Sequence, residues 1–357
     1  MGVGRKVIKL IDYKREDILS RNKENRKWMI SIFYPSQGKQ EDERNSYLDL
    51  FSPKEEEAFK IFKDMGAEEI KNLKSFYTND ASISYDAKNL PVIIYSPGMG
   101  VDRDLYLYNI SKLVSEGFFV VTVGATYETL FTVFPNGNVI YQSEAVQTIG
   151  SNDFASLKEL MKSRMEDISF LLDTLSSWNE TDHFLNGKLD MNRVGVIGHS
   201  LGGATIYELA KRDNRVKAGV ILDGSLHLIS HDTPVNTPFL SIRQQHATLS
   251  EMLQIWSNEV AEAYSKGQQL LYDSLSGYKL FIKVNNSDHM SFSDVPLIFK
   301  EKNEEMINAV HHTVNKIMIE FFKEFLIDKK AAFSQWIERN TNGSDFYVID
   351  SEGKYVS

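Results

Sequence analysis

Ser200 stands in the run "RVGVIGHSLGGAT", Arg193–Thr205, fenced by Gly198 and Gly202. A serine hydroxyl is a weak nucleophile until a base takes its proton and a carboxylate orients that base. The spacing Gly-x-Ser-x-Gly, after an apolar run and before a helical pattern, is the form a strand–turn–helix nucleophile elbow takes in sequence. In so tight a turn the serine adopts an unfavourable backbone angle, and side chains at 198 or 202 would collide. His199 supports the elbow, but a residue beside the nucleophile points away from it. A helix beginning after Ser200 aims free N–H groups and its positive end at the reacting oxygen. The plain alternative is a buried strand followed by a flexible loop.

On such an elbow the acid and then the histidine follow the serine along the chain. Asp223 ends the apolar run "AGVILDG", at the C-terminal end of a strand, where sites in parallel sheets collect. Asp213 and Asp232 lie in polar surroundings and read as solvated loop charges. His289 follows the strand pattern "YKLFIKV" in the loop "NNSDHMSFSD" and is the expected base. His183 precedes the serine, His311 and His312 fall in a helical pattern, and His227, His231 and His246 are weaker rivals in loops. Asp288 reads as a loop charge, since adjacent residues rarely orient each other.

An oxyanion hole needs two backbone N–H groups. Leu201, after the serine, supplies one expected donor. Met99, in "VIIYSPGMGVDRD", supplies the other, because Gly98 and Gly100 let the backbone turn toward a ligand. An ordinary Pro-Gly turn is the competing reading.

These residues need a scaffold. The chain has 357 residues, 42% hydrophobic and 25% charged, enough for one large domain. The runs "WMISIFY", "PVIIYS", "FFVVTV", "RVGVIG", "AGVILD", "PFLSIR" and "KLFIKV" are nearly continuous in apolar residues, as in strands covered on both faces of a parallel sheet. Helical patterns lie between them, including "MKSRMEDISFLLDTLSSW" and "EEMINAVHHTVNKIMIEFFKEFL". The alternation predicts an α/β fold, a mostly parallel doubly wound sheet in a single domain over 1–357. Residues 36–84 and 248–276 interrupt the alternation as helical insertions, either a cap near the substrate or plain surface helices.

Other chemistries have little support. With no cysteine, thiolate nucleophiles, disulfides and Cys-ligated zinc are excluded. No H-E-x-x-H spacing or P-loop occurs, so no metal or other cofactor is expected. A net charge of -9 without a basic run argues against nucleic acid. No signal-like or membrane-spanning run of about 18 apolar residues is present. The chain as given is therefore expected in the cytoplasm, or outside the cell if a leader has been removed. Its 21 Phe and 16 Tyr would allow transient contact with a membrane surface. Oligomeric state is not encoded in any pattern.

Taken together, "YSPGMG", "GFFVVTVGATYETLFTVFPNG", "GHSLGGAT", "ILDGSL", "SDHMSFSD" and the opening "RKWMISIFYPS" resemble the platelet-activating-factor acetylhydrolase family of α/β-hydrolase serine esterases, its plasma-type and bacterial branch. The likeness runs roughly from Lys6 to Leu326. It implies Ser200 as nucleophile, Asp223 as acid, His289 as base, and Met99 and Leu201 as oxyanion donors. It also implies cleavage of short or oxidised acyl chains from phospholipids and simple esters. Pro97-Gly98 stands where that family often has His-Gly, and "VGATYET" where it carries charged residues. Both departures surround the substrate pockets. Lactone, cyclic (lipo)peptide or polyester hydrolysis by the same triad is the alternative, and an inactive binding module on the same fold is a third reading.

Overall fold

The computed structural model describes residues 2–37, 45–75, 77–150, 152–230, 232–299, 303–340 and 345–356. Among them, ten strands form one sheet: β1 (Gly2–Glu16), β2 (Asn25–Ser36), β3 (Thr78–Asn79), β4 (Leu90–Ser96), β5 (Phe119–Val123), β6 (Leu189–His199), β7 (Val216–Leu222), β8 (Phe239–Arg243), β9 (Lys279–Val284) and β10 (Phe346–Val348). Their spatial order is β10-β9-β8-β7-β6-β4-β5-β2-β1-β3. The block from β5 to β9 is parallel throughout. At its margins β2 runs antiparallel to β5 and β1, and β10 antiparallel to β9.

The sheet is covered on both faces, as the unbroken apolar runs require. Successive strand side chains point to opposite sides. Ile93 and Tyr95 therefore join one core with helices α2 (Leu107–Ser115) and α6 (Glu304–Ile327), together with Phe51 and Phe62. Val92 and Ile94 join the other, with α3 (Phe154–Thr181) and α4 (Leu201–Ala210). Local signals set the helix ends. Asp153 accepts the Ser156 N–H at the start of α3, and Asn303 accepts that of Glu305 at the start of α6. Past the end of α2, Gly117 takes φ 91°, a backbone angle that stops the helix.

Two features of the sheet depart from the sequence reading. "WMISIFY" lies in β2, which is antiparallel to both neighbours. An unbroken apolar run reports cover on both faces, and β2 has that cover whichever way its neighbours run. The N-terminal run, read only as a leader that is absent, forms β1. Its polar and charged residues alternate unevenly, yet it pairs with β2 continuously from Gly2↔Ser36 to Asp12↔Arg26.

Both interruptions at 36–84 and 248–276 contain helix. The first holds α1 (Glu55–Asp64), two single-turn helices and β3. The second holds a short turn of helix at Leu249–Met252 and α5 (Asn258–Ser274). α5 presses close to the segment after β7, where a side chain on Gly267 would meet the Leu226 carbonyl at 2.2 Å.

Candidate active site

β6 ends at His199 and α4 starts at Leu201, so Ser200 makes the whole turn at φ 54° and ψ -120°. A non-glycine residue there stores about 1–3 kcal/mol of strain. Its surroundings hold it: Ser200 N–H donates to the Leu222 carbonyl at 3.0 Å, and Ser225 N–H donates to the Ser200 carbonyl at 2.9 Å. Close approach accounts for the flanking glycines. A Cβ on Gly198 would sit 2.2 Å from the Gly202 carbonyl oxygen, and one on Gly202 would sit 2.2 Å from that of Ser96.

His289 reaches both partners at once. Its Nε2 lies 3.0 Å from Ser200 Oγ and its Nδ1 2.6 Å from Asp223 Oδ2. The three side chains follow the C-terminal ends of β6, β7 and β9, which lie on the same side of the sheet because the strands from β6 to β9 run parallel. Asp223 is fully buried and also accepts from Gln244 Nε2 at 3.1 Å. Burial alone would raise its pKa; the Arg243 guanidinium and the imidazole beside it outweigh burial and hold it well below the usual carboxylate range.

Asp288 has a task of its own. It caps the single helical turn His289–Phe292, accepting from Ser291 N–H at 3.0 Å and Ser291 Oγ at 2.8 Å. The rival histidines have other neighbours. His246 Nδ1 lies 3.4 Å from Gln244 Oε1, and His311 Nε2 donates to the Ser293 carbonyl. His227 packs between the rings of Phe154 and Tyr264. His231 lies outside the described residues.

The Pro97–Gly100 turn lies against the elbow. A Cβ on Gly98 would stand 2.9 Å from His199 Nδ1 and 3.4 Å from Ser200 Cβ. Met99 follows it, partly buried, and Leu201 opens α4 with its amide at the helix N-terminus. Arg164 of α3 secures the turn, donating to the Pro97 carbonyl at 2.5 Å while its Nε is held by Glu128 at 2.9 Å.

The family profile described as "Platelet-activating factor acetylhydrolase, isoform II" matches residues 16–345. The chain belongs to that family. It is accordingly a carboxylic ester hydrolase. A platelet-activating factor acetylhydrolase of Cavia porcellus is 25% identical, with 87% of this chain and 75% of that protein covered. A probable 1-alkyl-2-acetylglycerophosphocholine esterase of Arthroderma benhamiae is 26% identical over 63% of this chain and 57% of its own. Among solved structures, a ferulic acid esterase from Streptomyces cinnamoneus superposes with a TM-score of 0.75 at 21% identity, covering 98% of this chain and 96% of that one. The fold is that of the α/β hydrolases.

In this acetylhydrolase-family chain an apolar cavity of about 210 Å³ borders the site. Met99 and Met290 line it beside the Pro97–Gly100 turn and the His289–Phe292 turn, and Phe51 and Phe62 from the first insertion line it with Phe131. Asp102 and Thr129 are among its few polar lining residues. Sequence reasoning did not reach several residues that shape the site. Arg243 was visible only as a charge ending the apolar strand "PFLSIR", one position past the Leu222↔Ile242 pairing. Arg164 and Tyr106 gave no signal, because each looks like an ordinary residue on a helical pattern.

Proposed function

We propose that the protein is a serine esterase of the platelet-activating-factor acetylhydrolase type, cleaving short or oxidised acyl esters through Ser200, His289 and Asp223. The single observation that carries this reading is the His289 imidazole, within hydrogen-bond distance of Ser200 Oγ on one side and Asp223 Oδ2 on the other. A neutral ring donating its Nδ1 proton to Asp223 presents an unprotonated Nε2 to the serine.

Ser200 Oγ attacks the ester carbonyl as its proton passes to His289 Nε2, and Asp223 stabilises the imidazolium. The oxyanion is held by the Met99 and Leu201 amides, each such donor being worth about 10²–10³ in kcat. Collapse breaks the carbonyl–alkoxy bond, and the leaving alcohol takes the proton back from His289. Water then gives a proton to His289 and attacks the acyl-serine. Release of the carboxylic acid returns that proton to Ser200. The apolar cavity beside Met99 and Met290 receives the acyl group, which supports an uncharged chain of limited length.

The test is active-site labelling with a fluorophosphonate, joined to hydrolysis of p-nitrophenyl acetate. The native protein is expected to label, and Ser200→Ala to lose both labelling and turnover. Full-rate hydrolysis by Ser200→Ala would overturn the assignment. A panel of phospholipid, lactone and polyester substrates separates the acetylhydrolase reading from the other hydrolases of the same triad.

A further inference from the structure

We propose that Tyr106 and His199 form a hydrogen-bonded strut that fixes the oxyanion turn and the catalytic histidine turn relative to each other, which makes both of them positioning residues. The proposal rests on the triad reading above.

Three contacts make an unbroken line. Gly98 N–H donates to Tyr106 Oη at 2.9 Å. Tyr106 Oη lies 3.0 Å from His199 Nδ1, and His199 Nε2 lies 2.8 Å from the backbone oxygen of His289. The proton positions follow from the partners. The His289 carbonyl only accepts, so His199 Nε2 carries the proton. A neutral ring then has a bare Nδ1, which accepts the Tyr106 O–H. The Tyr106 oxygen, having given its proton, accepts from Gly98. Each donor meets one acceptor from residue 98 to residue 289.

The surroundings lock this pattern. Tyr106 and His199 are fully buried. Burial pushes the His199 pKa down to about 3 and raises that of Tyr106, so neither ionises near neutrality. The Tyr106 ring rests on Tyr95 with centroids 4.8 Å apart. The His199 ring lies 4.8 Å from the His289 ring, so it supports the base through its face as well as its edge. Both ends of the strut are catalytic turns. Gly98 immediately precedes Met99, and the carbonyl at the far end belongs to the base. The His289 carbonyl fixes the tautomer, and the Tyr106 hydroxyl is the buried donor that satisfies the bare Nδ1.

The experiment compares Tyr106→Phe, His199→Gln and His199→Phe with the native enzyme on p-nitrophenyl acetate, with fold checked by near-ultraviolet circular dichroism. Tyr106→Phe keeps the ring and is expected to lower kcat about tenfold or more with KM nearly unchanged, the scale set by small misplacement of catalytic groups. Binding of a trifluoromethyl ketone, which needs both the oxyanion donors and the base, is expected to weaken in step with kcat/KM. His199→Gln can donate its side-chain amide to the His289 carbonyl and is expected to retain more kcat than His199→Phe. In the His199→Phe background, Tyr106→Phe is expected to cost less than it does in the native protein, since only its contact with the Gly98 N–H is left to lose. Unchanged kcat in Tyr106→Phe, equal activity of the two His199 variants, or losses that multiply in the double variant would each overturn the strut. Absence of fluorophosphonate labelling in the native protein would instead defeat the triad reading itself.

Discussion

Arg243 Nη1 stands 3.1 Å from Asp223 Oδ1 while His289 Nδ1 occupies Oδ2 of the same carboxylate. Both members of the ion pair are fully buried. The guanidinium nitrogens have no aligned hydrogen bond among the described residues, so the arginine acts mainly through its charge. The carboxylate that meets the His289 imidazole is thus kept ionised by a charge on its other side. Removing one partner of a buried pair leaves the other uncompensated, at a cost of about 3–5 kcal/mol.

Arg243→Met is therefore expected to lower both stability and kcat. The sign of the pH effect follows from the depressed folded-state pKa of Asp223. A depressed carboxylate adds stability above its unfolded pKa, and that contribution is lost as pH falls through the folded value. Without Arg243, burial raises the Asp223 pKa. The gap in Tm between native and Arg243→Met is expected to be widest near pH 7 and to narrow in acid. A constant gap across the titration would refute the charge argument.

Phe62 reaches the apolar cavity from the first insertion and packs on Phe51 and Phe131, with centroids 5.4 and 5.9 Å away. Phe62→Ala enlarges the space, so esters longer than acetate gain. Each added methylene that becomes buried contributes about 0.8 kcal/mol, close to fourfold in kcat/KM. A series of p-nitrophenyl esters from acetate to octanoate is expected to show the optimum moving to longer chains. An unchanged profile would mean that the acyl group lies elsewhere.

Asp294 ties the histidine turn to the start of α2, accepting the Leu107 N–H at 2.6 Å and the Tyr47 hydroxyl at 3.1 Å. It is fully buried, and burial pushes its pKa up to about 7 against those two hydrogen bonds. For a raised carboxyl the sign reverses: the folded state holds the proton more tightly, so stability falls as pH climbs from about 4 to 7 and then levels. Asp294→Asn removes this titration while keeping an acceptor for Leu107. Thermal melts at pH 5 and pH 7.5 are expected to differ less in Asp294→Asn than in the native protein.

The insertions illustrate what local pattern conveys. Helical spacing in "PKEEEAFKIFKDMGAEEIKNL" marks α1, yet nothing in it says that Phe62 faces a cavity beside Met99. Likewise "PFLSIR" marks a strand, but Arg243 meets Asp223 only because β8 lies beside β7.

The sequence by itself determined the elbow at Ser200 and the two-sided burial of the central strands. Both follow from neighbours within a dozen residues, through backbone sterics at the glycines and the pattern of apolar side chains. It also narrowed the candidates for an acid and a base to Asp223 and His289 by chain order. Tertiary structure alone decided the distances: His289 and Asp223 are 66 positions apart, and Tyr106 and His199 are 93. Contacts of that span depend on which strands lie side by side and how their ends align, and no local stretch of chain carries that information.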